Sequence, residues 1–290
     1  MAQTTRVYAV RDTLELRLDI HYAEEGSETS FQGIAKPTIL FVFGGGFVAG
    51  SRNDEWYFPW FHTMNGNGYN VVAIDYRLGM KGYKMGKGLR GAVRASDQFY
   101  LSQQMGVEDV FAAVEYLATN EELGIDVDNM VLAGNSAGAI ISLATEYDIL
   151  HGRRASLPEG FNFKGVMSFA GGIISTSGAP DFPSQPCPIL LLHGTADRAV
   201  AYKHYGAFGR GIWGSDYIAK RFAKKGFFYS IYRYLNRTHD VAAYVKVLWD
   251  LEKDFLEQDV MLGRNRTIDA TVYDPSLPSW GDISTDDIYK

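Results

Sequence analysis

Residues 130–144 read MVLAGNSAGAIISLA, and this stretch decides the fold. It opens with Met130–Ala133, a short apolar run typical of a buried strand. Gly134–Gly138 follows in a GxSxG pattern, and the next residues are apolar on most faces of a helix. A strand, a glycine-flanked turn and a buried helix in this order lift the hydroxyl of Ser136 above the edge of a sheet. The stretch therefore predicts an α/β structure in which Ser136 is a nucleophile.

The GxSxG pattern is weak when taken alone, because the chain contains 31 glycines. The alternative interpretation makes Ser136 an ordinary N-cap residue of the helix that follows. The context favours the nucleophile, since the serine lies between a strand and a helix as a reactive hydroxyl in such a turn requires.

On either side of this stretch, short apolar runs alternate with segments of helical periodicity. Runs that are apolar on both faces suit the buried strands of a parallel sheet. The predicted strands are Thr38–Phe43, Asn70–Asp75, Met130–Ala133, Lys164–Ala170, Pro188–His193 and Phe227–Leu235. Helical stripes cover Val110–Leu117 and Val241–Phe255, whereas Arg6–Val10 and Leu14–His21 alternate as a β-ribbon does. We predict an α/β fold with a doubly wound, mostly parallel sheet, helices on both faces and an N-terminal antiparallel β-ribbon.

We expect residues 1–290 to form a single domain, because neither a repeat nor a linker is visible. Two segments do not fit the alternation. Residues 78–106 are rich in glycine and basic side chains, and residues 201–217 are rich in glycine and aromatic ones. Both follow predicted strands, where pocket loops lie, so each is either a cap or pocket wall or an ordinary surface excursion. Residues 264–290 are predicted to be an irregular tail that packs onto the body.

A second glycine motif, Phe43–Phe47, reads FGGGF at the end of the first predicted parallel strand. A glycine run there leaves backbone N–H groups free to face an anion, and acyl transfer needs donors for the oxygen that becomes negative. We assign such an oxyanion hole to the N–H groups of Gly45, Gly46 and Ala137. The alternatives are a flexible turn and a phosphate cradle, but the phosphate-loop pattern GxxxxGK[ST] is absent from the sequence.

A serine nucleophile needs a histidine base, and the chain has six histidines. After a GxSxG turn of this type, the acid and then the base come later in the chain. Of the downstream histidines, His193 ends a strand and leaves no room for the acid before it. His204 lies only seven residues after the candidate acid, in the aromatic segment. His239 follows the last predicted strand and is the expected base; its alternative role is that of a structural surface histidine.

The acid is expected to be Asp197, in the sequence HGTAD after the strand Pro188–His193. A carboxylate there accepts the imidazole N–H, fixes the tautomer and stabilises the imidazolium. The other candidates fit less well: Asp181 precedes that strand, and Asp216 lies well inside the aromatic segment. Asp240 is interpreted as the N-cap of the last helix.

Taken together, these motifs resemble those of the α/β-hydrolase superfamily, in particular the hormone-sensitive-lipase-like and related bacterial carboxylesterases. The resemblance covers residues 38–257, and its motifs are Gly44–Phe47, Asp75–Leu78, Gly134–Gly138, His193–Asp197 and Thr238–Asp240. It implies a Ser136–Asp197–His239 triad and cofactor-free hydrolysis of short acyl esters, including acetyl or feruloyl groups on plant polysaccharides. The chain departs from the family at Phe43, where a histidine usually precedes the glycines.

Two other functions share these motifs. A prolyl-oligopeptidase-like serine peptidase uses the same turn and the same order of acid and base, but it usually carries a large additional domain ahead of the hydrolase. Thirty-seven residues precede the first parallel strand in this sequence. A non-catalytic binding protein with this fold typically lacks a member of the triad, whereas this chain has all three. Thioester and lactone hydrolysis need the same groups as ester hydrolysis and stay open.

The resemblance implies a small-molecule or carbohydrate-linked ester as the partner, and the oligomeric state stays open. A net charge of −6 argues against nucleic acid, because phosphate binding requires concentrated positive charge. No apolar run reaches the roughly 18 residues of a membrane span. Residues 1–10 lack the apolar core of a signal peptide, so a cytoplasmic location is expected, or a periplasmic or secreted one if a signal was removed.

No cofactor or metal is expected from the sequence. Gly86–Gly91 matches the dinucleotide pattern GxGxxG but does not open directly from a strand. Neither HExxH nor a spaced cluster of cysteine and histidine is present. The single cysteine, Cys187, cannot form an internal disulfide.

Overall fold

The computed structural model describes residues 3–153, 157, 159–281 and 283–289. The strands are β1 (Gln3–Arg11), β2 (Leu14–His21), β3 (Ser30–Phe31), β4 (Ile34–Ala35), β5 (Thr38–Val42), β6 (Val71–Ile74), β7 (Met130–Asn135), β8 (Gly165–Phe169), β9 (Gly172–Ser175), β10 (Ile189–Gly194), β11 (His204–Ala207), β12 (Arg210–Gly214), β13 (Tyr229–Tyr234) and β14 (Thr267–Val272). The α-helices are α1 (Phe58–Gly66), α2 (Gly88–Thr119), α3 (Ala137–Leu150), α4 (Ser215–Lys225), α5 (Trp249–Asp254) and α6 (Thr285–Ile288). Glu55–Tyr57, Glu121–Leu123 and His239–Lys246 are 3₁₀-helical, and Phe255–Met261 is π-helical.

Within the described ranges, nine strands form one sheet in the order β1-β2-β6-β5-β7-β8-β10-β13-β14. β1 pairs antiparallel with β2, and β2 pairs antiparallel with β6. Every pairing from β6 to β14 is parallel. The predicted mostly parallel sheet with an N-terminal antiparallel ribbon is therefore confirmed.

The centre of this sheet is built from the continuous apolar runs of the sequence. β5, β6, β7, β8 and β10 consist entirely of buried residues, as expected for parallel strands covered on both faces. Helices supply the cover. α1 contacts α5, where the indole N–H of Trp60 donates to Glu252 at 2.7 Å. α2 packs on α3, and aromatic rings of α3 and α4 both pack on Phe182.

The segment 78–106 is mostly helical, because α2 covers it from Gly88 onward, and its glycine content did not indicate this helix. α2 begins at Gly88 and runs for 32 residues, so Gly86–Gly91 spans a helix start. The buried amide of Gln103 on α2 exchanges two hydrogen bonds with the backbone of Ile174 in β9, at 3.0 and 2.8 Å. These bonds attach the middle of α2 to β9, which belongs to the smaller sheet described next.

The segment 201–217 forms a hairpin of β11 and β12, and β12 also pairs with β9 to make a three-stranded antiparallel sheet. Phe208 and Gly209 form the turn, with φ of 53° and 73°. Positive φ at both positions is typical of the type I′ turn that suits a two-residue hairpin. Four glycines in this segment weaken its strand pattern, because glycine is depleted in strands.

Two predictions for the last part of the chain were wrong. The amphipathic stretch Val241–Phe255 is not one helix, because it divides among the 3₁₀ helix at His239–Lys246, α5 and the start of the π-helical turn. The tail 264–290 is not irregular throughout, because β14 extends the main sheet in parallel with β13. β14 alternates between exposed and half-buried residues, so its sequence lacks the apolar run of a central strand. No helix in the described ranges is both long and apolar enough to cross a membrane.

Candidate active site

Ser136 lies in a tight turn between β7 and α3. Its φ and ψ are 52° and −118°, a backbone conformation that a non-glycine residue adopts only when its surroundings hold it there. The flanking glycines make the turn possible. A Cβ on Gly138 would lie 1.9 Å from the carbonyl oxygen of Val42, and one on Gly134 would lie 2.4 Å from the backbone of Gly138. Ser136 occupies the N-cap position of α3, but its hydroxyl makes no capping hydrogen bond there, so it does not act as an ordinary capping serine.

The loops that carry the predicted residues all leave the sheet at the carboxyl ends of its parallel strands. The loop Gly44–Phe47 follows β5, and Ser136 follows β7. Asp197 follows β10, and His239 follows β13. The strand order reverses at β5, whose neighbours are β6 and β7, and a ligand crevice in an open α/β sheet lies at such a point. The sheet therefore brings the sequence-predicted residues to one edge.

His239 connects Ser136 to Asp197. Its Nε2 lies 2.8 Å from Oγ of Ser136, and its Nδ1 lies 2.8 Å from Oδ2 of Asp197. An ionised carboxylate can only accept, so Nδ1 carries the hydrogen and Nε2 of the neutral ring accepts from the serine hydroxyl. This is the tautomer that a general base requires.

The carboxylate of Asp197 is fully buried and receives four hydrogen bonds. Oδ1 accepts from the backbone N–H groups of Ala199 and Val200, both at 2.9 Å. Oδ2 accepts from His239 at 2.8 Å and from Nε2 of His193 at 3.2 Å. Burial alone would raise the pKa of Asp197, but hydrogen bonds from the two histidines outweigh it and hold the pKa well below its ordinary value. Asp197 therefore stays ionised beside the imidazole.

His193 is a member of the site that sequence reasoning missed. Its side chain is fully buried, and Nε2 lies 3.1 Å from the carbonyl oxygen of Val200 as well as 3.2 Å from Asp197. Both are acceptors, so Nε2 carries a hydrogen. Nδ1 lies 2.8 Å from the hydroxyl of Ser215. The sequence signal was its position at the end of β10, four residues before the acid, which excluded it as a base but did not reveal it as a second donor.

The loop Gly44–Phe47 packs directly against the serine, since a Cβ on Gly44 would lie 3.2 Å from Cβ of Ser136. In the part of the chain that the structure describes, the N–H groups of Gly45 and Gly46 have no acceptor. The N–H of Ala137 belongs to the first turn of α3, where no intrahelical acceptor exists. The predicted oxyanion donors therefore have no acceptor among the described residues.

Two buried tyrosines support this loop in place of the histidine that usually precedes the glycines. The N–H of Gly44 donates to the hydroxyl of Tyr57 at 3.2 Å, and that hydroxyl donates to Oδ1 of Asn135 at 3.2 Å. Tyr76 donates to the carbonyl oxygen of Phe43 at 3.0 Å, and their rings lie 4.5 Å apart. Sequence reasoning missed Tyr57, because nothing local links it to a residue 78 positions later. It included Tyr76 in the motif Asp75–Leu78 but gave it no role.

We predict that Tyr57→Phe lowers kcat for ester hydrolysis roughly five- to thirtyfold with little change in KM. The variant leaves the Gly44 N–H without its buried acceptor, which costs about 1–2 kcal/mol and loosens the neighbouring donors where charge develops. Steady-state kinetics measure the effect, and Tyr205→Phe on the exposed hairpin is the matched control. An unchanged kcat in a folded Tyr57→Phe protein would contradict this role.

The other candidate residues lie in structural contacts. His204 is exposed on β11, with its ring 4.6 Å from that of Trp213. Asp181 pairs with Arg221, and Asp216 pairs with Lys220, each at 2.7 Å. In the part of the chain that the structure describes, none of the three forms a hydrogen bond with Ser136 or His239.

The interpretation of Asp240 as a helix N-cap was wrong. Thr238 occupies the N-cap position of the 3₁₀ helix. The carboxylate of Asp240 instead accepts from the hydroxyl of Ser279 and the N–H of Trp280, at 2.8 and 2.9 Å. Asp240, the residue after His239, thus connects the loop of the expected base to a distant part of the chain. Among the described residues, no group of three or more His, Cys, Asp and Glu side chains is arranged to hold a metal ion.

Known proteins share this fold and part of this sequence. A family model described as an alpha/beta hydrolase fold matches residues 103–167, which include β7, the Ser136 turn and α3. A solved esterase from the planctomycete Thermogutta terrifontis superposes with a TM-score of 0.61, covering 91% of this chain and 95% of that chain at 20% identity. The chain has the α/β-hydrolase fold. The Thermogutta esterase has also been solved with propionate and with butyrate bound.

Curated proteins share parts of this α/β-hydrolase chain. Human dipeptidyl peptidase 8 is 28% identical over 188 residues, which is 58% of this chain and 20% of that protein. A probable N-octanoylanthranilate hydrolase from Rhodococcus erythropolis is 31% identical over 120 residues, which is 41% of this chain and 22% of that protein. The chain spans about a fifth of the length of the curated relatives it matches.

Proposed function

We propose that the protein is a serine hydrolase that cleaves short-chain carboxylic esters through an acyl-enzyme on Ser136. The observation that carries the proposal is the continuous hydrogen-bond chain from Oγ of Ser136 through His239 to Asp197. It lies beside backbone N–H groups that have no acceptor in the described ranges. A nucleophile, a base with an orienting acid, and donors for an oxyanion are the groups that acyl transfer needs.

The first half of the reaction acylates the serine. Oγ of Ser136 attacks the ester carbonyl carbon while its proton passes to Nε2 of His239. The carbonyl oxygen becomes negative and accepts hydrogen bonds from the N–H groups of Gly45, Gly46 and Ala137. The imidazolium then gives the proton to the leaving alcohol oxygen as the ester C–O bond breaks, and Asp197 remains ionised throughout.

The second half repeats these steps with water. Nε2 of His239 takes a proton from the water as its oxygen attacks the acyl carbon on Ser136. The tetrahedral intermediate collapses, the proton returns to Oγ, and the carboxylic acid leaves. Each proton released is taken up again within the cycle, so the chemistry needs no cofactor.

The proposal of a short acyl group rests on the enclosure of the reacting side chains and on the ligands of a solved esterase that shares the fold. The side chains that react are nearly enclosed: Ser136 is 7% exposed and His239 is 8% exposed. The Thermogutta esterase, which shares the fold, binds propionate and butyrate in its solved structures.

We expect p-nitrophenyl acetate, propionate and butyrate to react with far higher kcat/KM than laurate or palmitate. The rate should not rise above the micelle threshold, because a short ester that is soluble in water does not have to be extracted from an oil–water interface. Acetyl and feruloyl oligosaccharide esters extend the same series toward carbohydrate-linked substrates. A preference for palmitate, or a sharp rise in rate at an oil–water interface, overturns the short-acyl proposal and leaves the serine mechanism in place.

Peptide hydrolysis is the second candidate, because the similarity to human dipeptidyl peptidase 8 extends over 188 residues. The same groups can attack an amide, provided that His239 protonates the leaving amine. A dipeptidyl p-nitroanilide assayed beside p-nitrophenyl butyrate separates the two functions. We expect the ester to be cleaved and the anilide to be inert; the reverse result makes the protein a peptidase.

A further inference from the structure

A segment near the end of the sequence lies across the loops that carry the candidate active site. We call it the strap and define it as residues 277–281 and 283–289. It follows β14 at one end of the sheet and reaches Gly46 beyond β5, near the centre. The short helix α6 belongs to it, and the carboxylate of Asp287 accepts from the N–H and hydroxyl of Ser284 at the start of that helix.

The strap is attached beside the base. The hydroxyl of Ser279 and the N–H of Trp280 donate to the carboxylate of Asp240, the residue after His239. The hydroxyl of Tyr244 donates to the carbonyl oxygen of Pro278 at 3.2 Å. These bonds hold the first part of the strap on the 3₁₀ helix that carries His239.

The strap is also attached beside the acid. Ser284 forms a parallel β-bridge with Arg198, the residue after Asp197. The hydroxyl of Thr285 lies 3.3 Å from the carbonyl oxygens of both Arg198 and Ala199. The middle of the strap therefore contacts the two residues that directly follow Asp197 in the sequence.

The last residues of the strap contact the loop Gly44–Phe47, which we call the oxyanion loop. The hydroxyl of Tyr289 donates to the carbonyl oxygen of Gly46 at 2.6 Å, and its ring meets that of Phe99 edge-on at 5.0 Å. Burial raises the pKa of Tyr289, which keeps the hydroxyl a donor. A Cβ on Gly46 would lie 2.5 Å from a methyl carbon of Ile288. Ile288 and Tyr289 thus pack directly on one of the candidate oxyanion donors.

From these contacts we propose that the strap is the specificity wall of the active site, with Ile288 and Tyr289 excluding bulky esters beside Gly46. The proposal rests on the proposed function, because it concerns the ester that Ser136 attacks. The supporting observation is that one segment contacts, in turn, the 3₁₀ helix that carries His239, the residues after Asp197 and the loop Gly44–Phe47. It also accounts for the burial of Gly46, whereas the neighbouring Gly45 is exposed.

The test compares two esters that differ in bulk, p-nitrophenyl acetate and p-nitrophenyl benzoate, in the full chain. Ile288→Ala and Tyr289→Ala, alone and combined, should raise the benzoate-to-acetate ratio of kcat/KM by roughly 10- to 100-fold. The ratio is the readout, because a merely structural loss lowers both rates together. Tyr273→Ala is the matched control, since Tyr273 is an exposed tyrosine that precedes the strap, and its ratio should equal that of the wild type.

Tyr289→Phe distinguishes the steric role of the Tyr289 ring from the role of its hydroxyl as a hydrogen-bond donor. It keeps the ring and removes the hydroxyl, so the ratio should stay within twofold of the wild type while the acetate rate falls several-fold. This conservative variant gives a result even where Tyr289→Ala does not fold. A Tyr289→Phe protein with a strongly raised ratio would show that the ring is not the barrier.

The two proposals fail in different ways. If the wild type cleaves acetate and the alanine variants show an unchanged ratio, the strap is not the wall, and the proposed function stands. If the wild type cleaves neither ester and Ser136 is not labelled by a fluorophosphonate, the proposed function is wrong and the strap proposal falls with it.

Discussion

Ser136→Ala is expected to lower kcat for ester hydrolysis by roughly 10⁴- to 10⁶-fold. The change removes the atom to which the acyl group is transferred, so only the polarising effect of the oxyanion donors remains. The alanine fits where the serine side chain lies, and the hydroxyl makes no capping hydrogen bond that folding would lose. The far-ultraviolet circular dichroism spectrum and the thermal unfolding midpoint should therefore stay close to those of the wild type.

Ser142→Ala is the matched control for this variant. Ser142 lies on the same helix α3, is fully buried, and donates only to the carbonyl oxygen of Gly138 one turn earlier. Its replacement should leave kcat within about twofold, because a bond to the i−4 carbonyl contributes little. Labelling by a fluorophosphonate should be lost in Ser136→Ala and kept in Ser142→Ala. Near-normal hydrolysis by Ser136→Ala would refute the assignment of the nucleophile.

Asp197→Asn is expected to lower kcat by about 10⁴-fold at neutral pH, by analogy with other triads. Asparagine has one acceptor oxygen in place of two, so it cannot accept the four hydrogen bonds that Asp197 receives from two histidines and two backbone N–H groups. An amide N–H that faces His239 favours the tautomer with its hydrogen on Nε2. That nitrogen then cannot accept the proton of Ser136.

The pH dependence of kcat/KM tests the same idea. Because the histidines hold the pKa of Asp197 far below its ordinary value, the pH profile of the wild type should show no acid limb from this aspartate. Asp181→Asn, which alters an ion pair with Arg221 on α4, is the control and should retain wild-type activity. Substantial turnover by Asp197→Asn at neutral pH would show that His239 does not depend on this carboxylate.

Patterns that are local in sequence predicted most of the sheet. The central parallel strands are continuous apolar runs, so their existence could be predicted, with ends that differ from the observed ones by a few residues. The hairpin at residues 204–214 and strand β14 could not be predicted in this way. The hairpin is rich in glycine, which is depleted in strands. The residues of β14 are only exposed or half-buried, so this strand does not require an apolar sequence.

The candidate site was predictable wherever a residue follows a strand in a characteristic motif. Ser136, Asp197 and His239 each do so, and the structure brings them within hydrogen-bond distance. His193 and Tyr57 were missed because their roles depend on contacts made by the folded chain. Asp240 was misinterpreted for the same reason, since its partners Ser279 and Trp280 lie about 40 residues later.

The order of the site's parts along the chain has a consequence for synthesis on the ribosome. The oxyanion loop emerges first, followed by Ser136, then Asp197 and finally His239, 103 residues after the serine. A growing chain therefore carries the proposed nucleophile for a long interval without the proposed base. Translation itself delays the appearance of a competent centre until strand β13 has been made and added to the sheet. On the proposed mechanism, a chain that stalls before residue 239 would have the Ser136 turn and no base to activate it.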